Sequence, residues 1–213
     1  MDSPLDTEAD RDTRTAMASG SSFELFAGVI GIGVAIVGLA GLHPLVMAAI
    51  GTIAVSFALI AQGSTVATRW KKAVHIIGKE RTDVFGISTE LVGGLVGVVL
   101  GIAALFYLTP DRVLPAAVIV LGVTLLVGGP TQPDIAEVAS SATRKSWQVT
   151  RDAVRASSSV MVIAGLAAIV LGILAGVAAA PVLILTLVAV LCVGAALVIS
   201  GGTLFARFAH RFS

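Results

Sequence analysis

The chain repeats itself three times. Setting Glu24 on Glu90, an offset of 66, brings Pro44 onto Pro110, and a further offset of 71 brings Pro110 onto Pro181. In that register Ala27, Gly93 and Ala164 share a column. So do Gly31, Gly97 and Ala168, and likewise Ala35, Gly101 and Gly172. Beyond each proline stand two more small residues: Ser56 and Gly63, Gly122 and Gly129, Gly194 and Gly201. They lie 12 and 19 positions after the proline in the first two copies and 13 and 20 in the third. Self-similarity at a fixed period means that one supersecondary unit is used repeatedly. The copies cover about 23–63, 90–130 and 158–204.

Each unit is too apolar for water. The chain is 56% hydrophobic and 13% charged, with a mean hydropathy of +0.99, whereas a soluble domain carries roughly 25% charged residues. A helix needs about 20 apolar residues to cross the hydrocarbon. Six stretches qualify: 23–41, 44–62, 91–108, 113–130, 158–179 and 182–204. The expected fold is an all-α membrane protein of six transmembrane helices. These form three parallel-repeat hairpins with pseudo-threefold symmetry about the membrane normal, in a single domain over residues 23–213. Residues 1–22 read as a disordered acidic tail, without the basic start and apolar core of a signal peptide.

Charge sets the expected orientation. Of the 14 Lys and Arg residues, only Arg112 falls on the side of the short links; the other 13 fall with the termini and the long links. The positive-inside rule puts both termini and both long links in the cytoplasm, across a cytoplasmic (inner) membrane.

Packing follows from the small columns. Lipid tails are as apolar as leucine, so helices associate where small residues let backbones approach. Ala27, Gly31 and Ala35, then Gly93, Gly97 and Gly101, then Ala164, Ala168 and Gly172 each form a stripe at i, i+4, i+8. These stripes predict that the odd-numbered helices make the tight core, with the even-numbered helices as their partners.

The long links are read as amphipathic surface helices. Val66, Trp70, Ala73, Val74 and Ile77 share a helical face beside Arg69, Lys71, Lys72, Lys79 and Arg81. The second link sets Ile135, Val138 and Trp147 beside Arg144 and Lys145. Basic helices with tryptophan at the edge lie in the headgroup plane. Their expected contacts are anionic lipid headgroups, a membrane-protein partner or a second copy of this chain. The formal net charge of +1 gives no reason to expect nucleic acid.

Chemistry is sparse. Cys192 is the only cysteine, and His43, His75 and His210 are split between the two sides. No nucleophile elbow, phosphate loop or HExxH is present. The expectation is no enzyme, no cofactor and no metal site. Glu24 and Glu90 stand at span starts, where a carboxylate can reach water and favours the helix N-terminus. With no charge read as internal, ion-coupled transport is disfavoured.

The unit as a whole resembles the HdeD-type acid-resistance membrane proteins, which are built from three short two-helix repeats. The clearest stretch is Leu100-Gly101-Ile102-Ala103-Ala104-Leu105 followed by Pro110, Gly122 and Gly129. The resemblance implies six spans and a stress-related role, and it brings no catalytic residues. The reading is a structural, stress-related protein or an accessory subunit of a larger membrane assembly. The alternative is a passive channel or small-solute transporter along the threefold axis.

Overall fold

A computed structural model describes residues 23–77, 84–128, 147–177 and 181–209, with side chains placed over 23–64, 89–128, 158–177 and 181–202. All the regular structure among these residues is helical. The elements are α1 (Phe23–Leu39), α2 (Pro44–Ile77), α3 (Val84–Leu105), α4 (Pro110–Gly128), α5 (Trp147–Val177) and α6 (Val182–Ala209). Four stretches are long and apolar enough to cross a membrane: Pro44–Ser64, Pro110–Gly128, Ser158–Val177 and Val182–Gly202. Phe23–Leu39 and Thr89–Leu105 are apolar but shorter. At 1.5 Å per residue, 17 residues reach about 26 Å.

The short links show why the hairpins recur. α1 ends with Gly41 at φ 92°, and the Leu42 and Gly41 amides donate to the carbonyls of Val37 (3.4 Å) and Gly38 (3.0 Å). This is the Schellman closure, which satisfies the last carbonyls of a helix. Sixty-six positions on, the Leu108 and Tyr107 amides donate to Ala103 (3.2 Å) and Ala104 (3.1 Å). There Tyr107 holds the left-handed position, at φ 56°. His43 and Thr109 are matched too, at φ 43° and 41°. Pro44 and Pro110 then open α2 and α4, where the missing N–H costs nothing.

Which helices lie inside reverses the expectation. α2, α4 and α6 each touch the other two, whereas α3 and α5 make no comparable contact. Of the largest fully buried side chains, all but Met161 come from the even helices, with Leu59, Leu121, Leu125 and Leu197 among them. The odd helices form the outer layer. Their exposed faces repeat in register: Phe26, Val92 and Ile163; Val29, Leu95 and Leu166; Ile36, Ile102 and Ile173. The physical reason is that a small residue does not mark the centre of a bundle. It marks where an outer helix closes on an inner backbone, while the centre is filled by bulk.

The stripes therefore serve two neighbours. Ala27, Gly31, Ala35, Gly93, Gly97, Gly101, Ala164, Ala168 and Gly172 are all buried. A side chain on Gly31 would meet Val55, and one on Gly93 would meet Thr124, both within the same hairpin. One on Gly101 would meet Ile53 and the Ala49 carbonyl. One on Gly172 would meet Ile119 and the Pro115 carbonyl. Those partners belong to the preceding copy.

The closest approach to a neighbouring backbone lies one residue beside the stripe. A Cβ on Gly28 would stand 2.9 Å from the Gly194 carbonyl oxygen. On Gly94 it would stand 2.8 Å from that of Ser56, and on Gly165, 2.7 Å from that of Gly122. Thus α1 closes on α6, α3 on α2 and α5 on α4. For α3 and α5 this contact with the preceding copy is more extensive than the one inside their own hairpin.

The long links also differ from expectation. α2 runs unbroken to Ile77, a helix of 34 residues and about 51 Å. α5 begins at Trp147, and α3 at Val84. Over 66–77 and 147–157 the links are continuations of membrane helices, not separate helices lying flat. Arg69, Trp70, Lys71 and Lys72 thus ride on the α2 continuation, and Trp147 opens α5, with side chains outside those described. Lys79, Arg81, Arg144, Lys145 and residues 1–22 lie outside the described residues.

Candidate functional site

The even helices carry hydroxyls into the core, and most are satisfied within their own helix. Thr52 Oγ1 donates to the Ala48 carbonyl at 2.8 Å and Ser56 Oγ to Thr52 at 2.7 Å. Thr124 Oγ1 donates to Val120 at 2.7 Å and Thr186 Oγ1 to Val182 at 2.8 Å. Such i−4 bonds leave no polar group exposed to lipid. They carry no chemistry.

One cluster differs. Glu24 and Glu90 are each only 4% exposed, contrary to the expectation that both reach water. For Glu90 the cause is the early start of α3, which places it nearly two turns inside that helix. For Glu24 the cause is lateral: its side chain is covered by α2 and α6. Gln62 Nε2 donates to Glu24 Oε1 at 2.9 Å, and the Ser200 hydroxyl donates to the same carboxylate. Gln62 Nε2 also lies 3.9 Å from Met161 Sδ. Gly128 leaves room for Glu90: a side chain there would collide with its carboxylate. Gly63 serves the same end, since a Cβ on it would stand 3.2 Å from Glu90 Cβ.

The repeat register organises this cluster. Offsets of 66 and 71 put Glu24, Glu90 and Met161 in one column, and offsets of 66 and 72 put Gln62, Gly128 and Ser200 in another. Two carboxylates and a thioether thus come from the odd helices, and an amide, a bare backbone and a hydroxyl from the even ones. The residues are visible in the sequence, where the repeat register already pairs the two glutamates. The signal that could have revealed the site is the second column, where Gln62 and Ser200 are polar amid apolar sequence.

Among the residues with described side chains, Arg112 is the only Lys or Arg, and it is exposed at the opposite end of α4. Among the described residues no group of three His, Cys, Asp or Glu side chains could hold a metal ion. What the cluster offers is oxygen: two buried carboxylates with the Gln62 amide and the Ser200 hydroxyl beside them. No family model, curated protein or solved structure matches the chain.

Proposed function

We propose that the chain is a non-enzymatic protein of the cytoplasmic membrane whose six helices form three hairpins around a pseudo-threefold axis. It acts structurally, in the stress-related manner that its HdeD-like sequence implies, or as an accessory subunit of a larger membrane assembly. The observation that carries this reading is the filled centre. Leu59, Leu121, Leu125 and Leu197 from three different helices are buried together in one apolar core. The threefold arrangement is supported by the recurrence of one contact at equivalent positions, Gly28 on Gly194, Gly94 on Ser56 and Gly165 on Gly122. α1 and α3 join as spans through that equivalence: their outward faces repeat the one that α5 presents. The cytoplasmic placement of both termini rests on the division of the 14 Lys and Arg residues. The basic link residues are then available to anionic lipid or to a partner, at about 1 kcal/mol for each charge near an anionic surface.

A second reading, a channel or small-solute transporter, is favoured by one observation, the buried Glu24–Glu90 cluster. Intramembrane ionisable groups mark ion and proton paths more often than they mark structure. Flux separates the two. The purified full-length chain in sealed liposomes is expected to pass neither protons nor small solutes above the protein-free control, and extraction of native membranes in mild detergent is expected to bring a partner with it. Sustained flux abolished by Glu24→Gln would replace the structural reading with the transporter.

A further inference from the structure

We infer that Phe106, Tyr107 and Leu108, the turn between α3 and α4, form a phospholipid contact seated among the headgroups at the end of the bundle away from the basic links. The inference rests on the placement of the helices in a membrane and goes beyond the role proposed for them.

The side chains carry the first part of the argument. All three residues have large apolar side chains, yet the protein covers little of them: Phe106 is 75% exposed, Tyr107 69% and Leu108 60%. The turn continues the outward face of α3, where Val99 and Ile102 are exposed too. Beyond it the character changes at once. Asp111 and Arg112 stand in the first turn of α4, and both are exposed. Apolar surface on one side and charge on the other, within a few residues, mark the boundary between hydrocarbon and water. Tyrosine suits that boundary because its ring is apolar and its hydroxyl polar. Arg112 suits it as well, since an arginine stem lies along apolar surface while the guanidinium stays among phosphates.

The backbone supplies an independent observation. The closure made by the Tyr107 and Leu108 amides needs a left-handed residue, and Tyr107 takes that position at φ 56°. Gly41 fills the equivalent place in the first hairpin without strain. Left-handed backbone is disfavoured for any residue with a Cβ, and most for a bulky one. Glycine would close this turn too, so the turn does not account for the tyrosine. Packing does not account for it either, because the ring is mostly uncovered by protein. A headgroup contact accounts for both the residue and its exposure, and strained residues cluster at such points of contact. The first hairpin shows a reduced form of the same tip. Leu42, the equivalent of Leu108, is 58% exposed, while Ala40 and Gly41 stand where the second hairpin has its aromatic pair.

The test uses the full-length chain in phosphatidylcholine vesicles, with Trp70→Phe and Trp147→Phe so that one new tryptophan reports at a time. Tyr107→Trp and Phe106→Trp place it in the turn, and either suffices if the other does not fold. Val99→Trp places it on the outward face of α3 as a reference. Quenching is measured with phospholipids brominated near the headgroup end of the acyl chain, with others brominated near its tail, and with aqueous iodide. Both turn positions are expected to be quenched several-fold more by the shallow bromines than by the deep ones, and position 99 more by the deep ones. Turn positions quenched by iodide and by neither lipid, with position 99 quenched as expected, would overturn the proposal and leave the turn in water, free for a soluble partner. Turn positions quenched most by deep bromines would overturn it as well. Position 99 untouched by either lipid would refute the membrane placement itself, and the proposal would fall with it.

Discussion

At Gly28, Gly94 and Gly165 the side chain is a hydrogen atom, and each faces a backbone carbonyl of a neighbouring helix. A methyl group there has no space, because a backbone carbonyl stands in its way, joined at Gly94 by the Ile60 side chain and at Gly28 by Val198. Gly94→Ala is expected to cost about 1–3 kcal/mol, the usual penalty for overpacking a close contact. Leu95→Ala, one residue away on the outward face, is expected to change stability by less than about 0.5 kcal/mol. Reversible unfolding in mixed micelles measures both, and equal effects would contradict the packing described. The turns give a second test at this scale. Gly41 occupies the left-handed region without strain, so Gly41→Ala is expected to cost about 1 kcal/mol. Tyr107 already carries that strain at the equivalent position, so Tyr107→Gly is expected to relieve part of it. Thermal melts of the two variants should move in opposite directions.

Among the elements, the runs of apolar residues made the spans legible, because only a helix satisfies its own backbone in hydrocarbon. Where the helices end was not legible from apolarity. Nothing between Ser64 and Ile77 stops a helix: there is no glycine or proline, and the apolar residues keep helical spacing. The change from apolar to basic is a change of solvent and not a change of element. The same holds from Trp147 to Ser158. Inner and outer helices are not distinguished by the small columns for a related reason, since small columns report contact and not depth. Orientation is tested by labelling. On a Cys192→Ala background, a cysteine at Asp111 is expected to react with an impermeant reagent outside intact cells, and one at Ser213 only after permeabilisation. Reversed reactivity would place the basic links on the far side.

For the whole molecule, the buried cluster is the feature least legible in sequence. The register makes Glu24 and Glu90 equivalent, yet a place near the end of an apolar run carries no information on whether a carboxylate reaches water. Only the assembled helices reveal that α2 and α6 close over Glu24 and that α3 continues past Glu90. Burial of this kind is a property of neighbours distant in sequence, and span-by-span reading does not see it. The third member of the column supplies a prediction. Met161→Glu adds a third carboxylate beside Gln62 and is expected to destabilise the fold by about 3–5 kcal/mol, the scale of an uncompensated buried charge. Met161→Gln, which adds no charge, is expected to cost much less, and chemical unfolding of the pair measures the difference. Were three separate and identical hairpins to assemble symmetrically, each would have to bring the same residue to this cluster. Fusion into one polypeptide lifts that obligation. The copies here are free to differ at the one column where sameness would be most expensive electrostatically, and Glu24, Glu90 and Met161 show that they do.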